Sequence, residues 1–137
     1  MEKFVDRKYK LKTSDCFDEY MKFLGIGFVS RMAAASVTPV ITLSRNENNS
    51  FTLTTQTTIK NTQITFKPDE EFTEERADGV KVTSVISFNG NDLVHLQTDP
   101  EKRTSTQIRS YTDGLMTATT TANGWSGKCI RTYEYIP

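Results

Sequence analysis

Histidine and cysteine are almost missing from this sequence: one histidine, His95, and two cysteines, Cys16 and Cys129, in 137 residues. Two cysteines so far apart are too few for a disulfide framework. Each reads as a free thiol and a small buried apolar side chain rather than a nucleophile. One histidine and two distant thiols leave no metal site with recognisable spacing. His95 lies in a strand-like segment with no Ser or Cys motif to activate, so it reads as a structural residue. No enzyme activity, metal or cofactor is therefore expected. A charge of one sign is also lacking, because 17 Lys and Arg balance 17 Asp and Glu. A nucleic-acid binder gathers a basic excess on one face, so no nucleic-acid partner is expected. No apolar run approaches the ~20 residues that span a bilayer. Met1-Glu2-Lys3-Phe4-Val5-Asp6-Arg7-Lys8 carries charges where a secretory signal has its apolar stretch, and the C-terminus has no prenylation box. Gly25-Ile26-Gly27 has neither a preceding strand nor a third glycine, which excludes a dinucleotide loop. The expectation is a cytoplasmic protein with residues 1–137 in one domain.

Turn signals are plentiful. They occur at Asn46 to Ser50, Pro68-Asp69, Asp78-Gly79, Asn89-Gly90-Asn91, Asp99-Pro100, Asp113-Gly114 and Asn123-Gly124. From Pro68 onward they recur at the interval of consecutive antiparallel strands. Between them lie segments rich in Thr, Val, Ile, Phe and Tyr, such as Val80 to Phe88 and Leu115 to Thr121, which suit a pleated surface. The exception is near the N-terminus, where Phe17, Tyr20, Met21 and Leu24 fall on one helix face, with Ser14 as N-cap and Gly25 as stop. A second short helix is expected from Phe28 to Ser36, its alanines Ala33 to Ala35 allowing close packing, and Pro39 ends it. One strand, a helical hairpin and about nine further strands give an all-β fold. Two short helices cannot cover so large a sheet, so the sheet is expected to close on itself. A ten-stranded barrel is wider than side chains alone can fill, and an interior cavity follows.

Strand alternation places Cys129, Arg131, Tyr133 and Tyr135 on one side of the last strand, and Gln107, Arg109 and Tyr111 on one side of an earlier one. Pattern alone does not decide which side is wet, because Thr-rich strands of a hollow barrel alternate weakly. Facing outward, the arginines are ordinary strand charges. Facing inward, they are permanent cations removed from water at a cost of several kcal/mol. Two such groups without an acid of the same parity require an anion. A carboxylate satisfies both, with a tyrosine hydroxyl as a further donor. The acidic residues Asp69, Glu70, Glu71, Glu74 and Glu75 read as solvated charge.

At these residues the chain resembles the intracellular lipid-binding protein family, the cytosolic fatty-acid-binding and cellular retinoid-binding proteins. Arg131-Thr132-Tyr133 matches the Arg-x-Tyr element of the family's last strand, and Arg109 matches its other interior arginine. Phe17-Asp18-Glu19-Tyr20-Met21-Lys22 with Leu24-Gly25-Ile26-Gly27-Phe28 is similar to the first-helix signature. Lys60-Asn61-Thr62, Phe66-Lys67, Glu71-Phe72 and Val94-His95-Leu96-Gln97 resemble family segments in the same order. The resemblance covers essentially the whole chain. It implies a ten-stranded antiparallel up-and-down β-barrel, a β-clam, capped by a helix-turn-helix near the N-terminus.

Carried over, the resemblance implies a non-catalytic carrier of one long-chain fatty acid or other lipophilic carboxylate. The headgroup would meet Arg131 and Tyr133 directly, and Arg109 directly or through water. Phe17, Tyr20, Met21, Leu24 and Pro39 would line the upper cavity, Ile59 and Asp78 the portal and rim, and Gln97 the deeper polar region. Retinoic acid is the alternative guest, because the retinoid branch uses the same arginines and tyrosine. A monomer is expected, and Lys22, Arg31 and Lys60 would form a basic patch for transient contact with anionic membrane. Three departures stand out. Arg7-Lys8-Tyr9 occupies the place of a Gly-x-Trp, Ile59 the place of a portal phenylalanine, and the segment from Asp113-Gly114 to Cys129 is longer than usual, leaving strand register near Trp125 open.

Overall fold

The strand-like segments form ten antiparallel strands in the computed structural model, which describes residues 1–76 and 78–137. In chain order they are β1 (Lys8–Asp15), β2 (Val40–Arg45), β3 (Phe51–Gln56), β4 (Asn61–Phe66), β5 (Phe72–Glu75), β6 (Lys81–Asn89), β7 (Asp92–Thr98), β8 (Thr104–Tyr111), β9 (Leu115–Ala122) and β10 (Cys129–Ile136). Successive strands pair except β4 and β5, and β1 also pairs with β10, so the up-and-down order continues around the barrel. Closure is incomplete, which corrects the expectation of a sealed sheet. β4 and β5 are its two ends, and no ladder joins them among the described residues. Side chains span that gap instead: the Phe66 and Phe72 rings stack with centroids 6.2 Å apart.

Every turn signal read from the sequence falls between strands, except that Asn89 is the last residue of β6. The β3–β4 turn has no such signal, because it contains no Gly, Pro or Asn. Thr57 makes it: its hydroxyl accepts from the Lys60 N–H at 2.9 Å and donates to the Lys60 carbonyl at 2.7 Å. Around the longer segment the register is regular, with Cys129 opposite Thr120 and Tyr133 opposite Met116. Trp125 leaves the sheet and packs on Tyr20 and Phe23, ring centroids 5.5 and 6.2 Å away.

Between β1 and β2 lie α1 (Phe17–Phe23) and α2 (Phe28–Ala35). Ser14 is not the N-cap: β1 runs on to Asp15, with Ser14 opposite Arg131, and Cys16 turns the chain in a left-handed conformation with φ 63°. Gly25 does end α1. Its φ of 83° lets the Gly25 and Ile26 N–H groups reach the Lys22 and Met21 carbonyls at 3.0 and 3.1 Å. α2 has no buried residue, so its alanines are not in close packing as expected, although Ala34 faces the interior.

Apolar packing is split between the two ends. At the far end Phe4, Tyr9, Ile41, Leu43, Phe51, Phe66, Leu93, Tyr111 and Met116 are buried. Tyr9, in the departing Arg7-Lys8-Tyr9 segment, meets Tyr111 edge-on at 5.4 Å and donates to the Thr112 carbonyl at 3.2 Å. Beneath the helices, Tyr20, Leu24 and Cys129 are buried with Phe17, Phe23, Ile26 and Trp125 around them. The space between these clusters is left open.

Candidate functional site

That space is a cavity of about 750 Å³, within the range of small-molecule sites, roughly 300–1,000 Å³. Its upper wall is α1 and the chain leading into β2, which contribute Phe17, Tyr20, Met21, Leu24 and Pro39. Tyr20, Met21 and Leu24 are buried by the same helix face that the sequence pattern marks. Gln97, Arg109, Arg131 and Tyr133 line the same cavity.

Register explains why the two arginines meet. Arg109 pairs with Ala118 on β9, and Ala118 pairs with Arg131 on β10. All three share one row and one face, with the arginine backbones two strand spacings apart, about 10 Å. Alanine between them leaves room for both side chains above it. Tyr133, two residues beyond Arg131, is on the same face and buried. The parity left open by pattern is thus resolved inward for both strands. Tyr135 shares that parity but lies past the cavity, with the Arg7 guanidinium 4.9 Å from its ring centroid.

Neither interior guanidinium has a carboxylate within ion-pair distance among the described residues. Arg109 donates one bond, from Nη2 to Gln107 Oε1 at 3.1 Å, while its buried Nε and Nη1 have no partner among the described residues. Arg131 stacks on the Phe17 ring with Cζ 3.9 Å from the centroid, and its buried Nε is unpartnered. Phe17 thereby covers one face of the guanidinium, leaving its in-plane N–H groups for a guest. Arg76 also lines the cavity, but Asp78 grips it with two bonds of 2.8 and 2.7 Å. This holds the Asp78 carboxyl below its ordinary range.

Two residues expected at the portal and rim are outside the cavity lining. Ile59 projects from the β3–β4 turn, 67% exposed and outside the lining. Its neighbour Lys60 faces the cavity instead, because the tight Thr57 turn swings Ile59 outward. Asp78 is also outside the lining, its carboxylate occupied by Arg76. Two residues of the expected basic patch are engaged in ion pairs. Lys22 and Arg31 both pair with Asp18, at 3.4 and 3.0 Å, and Arg31 also donates to the Ile26 carbonyl.

Glu74 overturns the reading of the acidic stretch as solvated charge. β5 alternation turns Phe72, Glu74 and Arg76 inward, and the Glu74 side chain is only 9% exposed. Its Oε2 accepts from Ser84 Oγ at 2.6 Å and lies 2.6 Å from His95 Nε2. Burial pushes this carboxyl up, but the bonds from His95, Ser84 and Gln97 outweigh it and hold the group below its ordinary range. Burial lowers the His95 pKa below its ordinary value, more than Glu74 restores, and the Arg109 charge adds to the lowering. The pair at neutral pH is therefore an ionised carboxylate and a neutral imidazole. The period-two alternation Phe72, Glu74, Arg76 was the available signal.

The profile of the lipocalin and cytosolic fatty-acid binding protein family matches residues 7–134. The chain belongs to this family. A muscle fatty acid-binding protein of Schistocerca gregaria is 47% identical over 98 residues, 71% of this chain and 73% of that protein. Among family structures, the fatty acid-binding protein from Drosophila melanogaster brain tissue superimposes with a TM-score of 0.88 at 40% identity, covering 96% of this chain and 98% of that one. The Schistosoma mansoni fatty acid binding protein, in complex with arachidonic acid, gives a TM-score of 0.91 at 34% identity and covers 100% and 98%. The ten-stranded, helix-capped architecture of this family is the one expected from the sequence.

Proposed function

We propose that this protein is a non-catalytic intracellular carrier that holds one long-chain fatty acid in the barrel, its carboxylate on Arg109, Arg131 and Tyr133. The observation that carries this reading is the set of buried, unpartnered N–H groups on two neighbouring guanidiniums. Charge supports it as well. Among the charged residues lining the cavity, Arg76 is offset by Asp78, Lys60 is matched in number by Glu75 and His95 is neutral, which leaves Arg109 and Arg131 against Glu74. One more negative charge brings the interior to neutrality, and a carboxylate supplies it with hydrogen bonds already oriented. Relatives named as fatty acid-binding proteins, including one in complex with arachidonic acid, support a fatty-acid guest.

The acyl chain would supply most of the affinity. Burial releases about 0.8 kcal/mol per methylene, so ~14 methylenes give roughly 11 kcal/mol before ordering and association costs of several kcal/mol. The arginines choose an acid over an ester or alcohol. Arg131→Ala is expected to weaken oleate binding about tenfold or more while changing methyl oleate binding little. Equal losses for the two ligands would remove the headgroup assignment. Retinoic acid carries the same headgroup, and competition against oleate separates the two guests.

Membrane contact during transfer is a second reading, favoured by apolar rather than basic residues. Phe28, Val29 and Met32 on α2 and Ile59 on the β3–β4 turn are 65%, 81%, 56% and 67% exposed. Transfer to vesicles is then expected to depend weakly on salt and strongly on Val29→Asp. A steep salt dependence would restore the basic patch.

A further inference from the structure

The unmet polar groups of the cavity are of two opposite kinds. Arg109 Nε and Nη1 and Arg131 Nε are donors without acceptors. His95 Nδ1 is also buried and unpartnered, on a side chain that lines the cavity and is only 3% exposed. Its role follows from the other ring nitrogen. Glu74 Oε2 accepts the Ser84 hydroxyl and faces His95 Nε2, each at 2.6 Å. A carboxylate oxygen in that position is met by an N–H, so Nε2 carries the ring proton. Nδ1 of the neutral imidazole is then a bare lone pair, an acceptor without a donor.

A guest that satisfies the arginines alone leaves this acceptor unmet. A guest with both a carboxylate and an O–H satisfies both kinds. Position fixes where the hydroxyl belongs. Leu93 is opposite Arg109 and His95 is opposite Gln107, so Arg109 and His95 are diagonal neighbours on one face, about 7–8 Å apart. Gln107, opposite His95, is bonded elsewhere, accepting from Arg109 at 3.1 Å and donating to Gln97 at 3.2 Å, so it does not meet Nδ1.

We propose that His95 Nδ1, set beside Glu74, is a second subsite that takes a hydroxyl on the lipid chain, so that the protein selects hydroxylated long-chain acids with the O–H in the carboxyl-proximal half. The proposal rests on the carboxylate reading given above. An ordered water is the competing partner for Nδ1, and a hydroxyl placed elsewhere in the cavity loses its own hydration without replacement.

The test compares octadecanoic acid with its carboxyl-proximal and chain-terminal hydroxy isomers by calorimetry. In parallel, ¹⁵N spectra report the single histidine. The proximal isomer is expected to bind no more weakly than the parent acid and about three- to tenfold more tightly than the terminal isomer. The Nδ1 resonance is expected to shift with the proximal isomer relative to the parent complex. In His95→Gln the proximal-to-terminal ratio is expected to fall towards one, and if that variant does not fold, the wild-type series and its spectra decide. Equal affinities for the two isomers, or an Nδ1 signal identical in the parent and proximal complexes, overturns the subsite and leaves the carboxylate reading standing. Failure of every acid to bind overturns both.

Discussion

Replacing Arg109 by methionine is expected to stabilise the empty barrel and to weaken acid binding at the same time. Arg109 Nε and Nη1 are buried without partners, and only Nη2 is bonded, to Gln107. An unmet buried donor costs about 1–3 kcal/mol, and replacing a poorly compensated internal cation by an apolar chain of similar length is neutral to stabilising by 1–4 kcal/mol. Losing the Gln107 contact takes back about 1 kcal/mol. The net expectation for Arg109→Met without ligand is a gain of about 1–2 kcal/mol, a rise in Tm of roughly 3–8 °C for a domain of this size.

Binding moves the other way. The guanidinium's charge-assisted bonds to a carboxylate are worth about 1.5–3 kcal/mol, so oleate is expected to bind roughly 10- to 150-fold more weakly. Methyl oleate, which brings no charge, should change by no more than about threefold. The assays are chemical denaturation of delipidated protein and calorimetry with the two ligands. A variant that is less stable when empty and still holds oleate as tightly as the wild type would refute the reasoning. Arg109 would then be contributing to the fold rather than waiting for a guest.

Two further predictions follow from the same interior. The unfolded chain takes up a proton at His95 near the ordinary value of 6.5, whereas the folded chain resists it. Stability is therefore full above that pH and falls below it by up to about 1.4 kcal/mol per pH unit, then further as Glu74, Asp78 and Asp99, all held below their ordinary ranges, are protonated. Denaturant midpoints that stay flat from pH 7 to 5 would sink this, and His95→Gln should remove the first part of the fall. The Cys129 thiol, pushed up to about 11 by burial, should react with iodoacetamide at pH 8 about tenfold or more slowly than it does in denaturant. Native and unfolded rates that agree would mean the thiol is open to solvent.

How far the site was legible depended on whether chain-local pattern carried the information. The row Arg109–Ala118–Arg131 was within reach, because a hairpin centred on Asp113-Gly114 sets Arg109 against Ala118. Only the β9–β10 register was missing, and the loop around Trp125 hid it. The inner face of α1 followed from spacing alone. Ser14 misled because a serine before an apolar run fits a helix cap and a strand end equally well, and pairing with Arg131 decided for the strand. The incomplete closure was out of reach, since nothing in β4 or β5 announces that their backbones stay apart.

Glu74 is the most instructive miss. Five acids within seven residues read as surface charge because burying a carboxylate is expensive, and for Glu70, Glu71 and Glu75 that holds. Glu74 escapes the rule because its partners come from β6 and β7, Ser84 and His95, which are distant in sequence and brought alongside only by the barrel. Its presence also alters the inference drawn from the arginines. Two cations with no interior acid would call for a strongly anionic guest or for two of them. Two cations with one fixed carboxylate call for a single negative charge. On the carboxylate reading proposed above, one monocarboxylic acid is therefore favoured over a phosphate or a dicarboxylate.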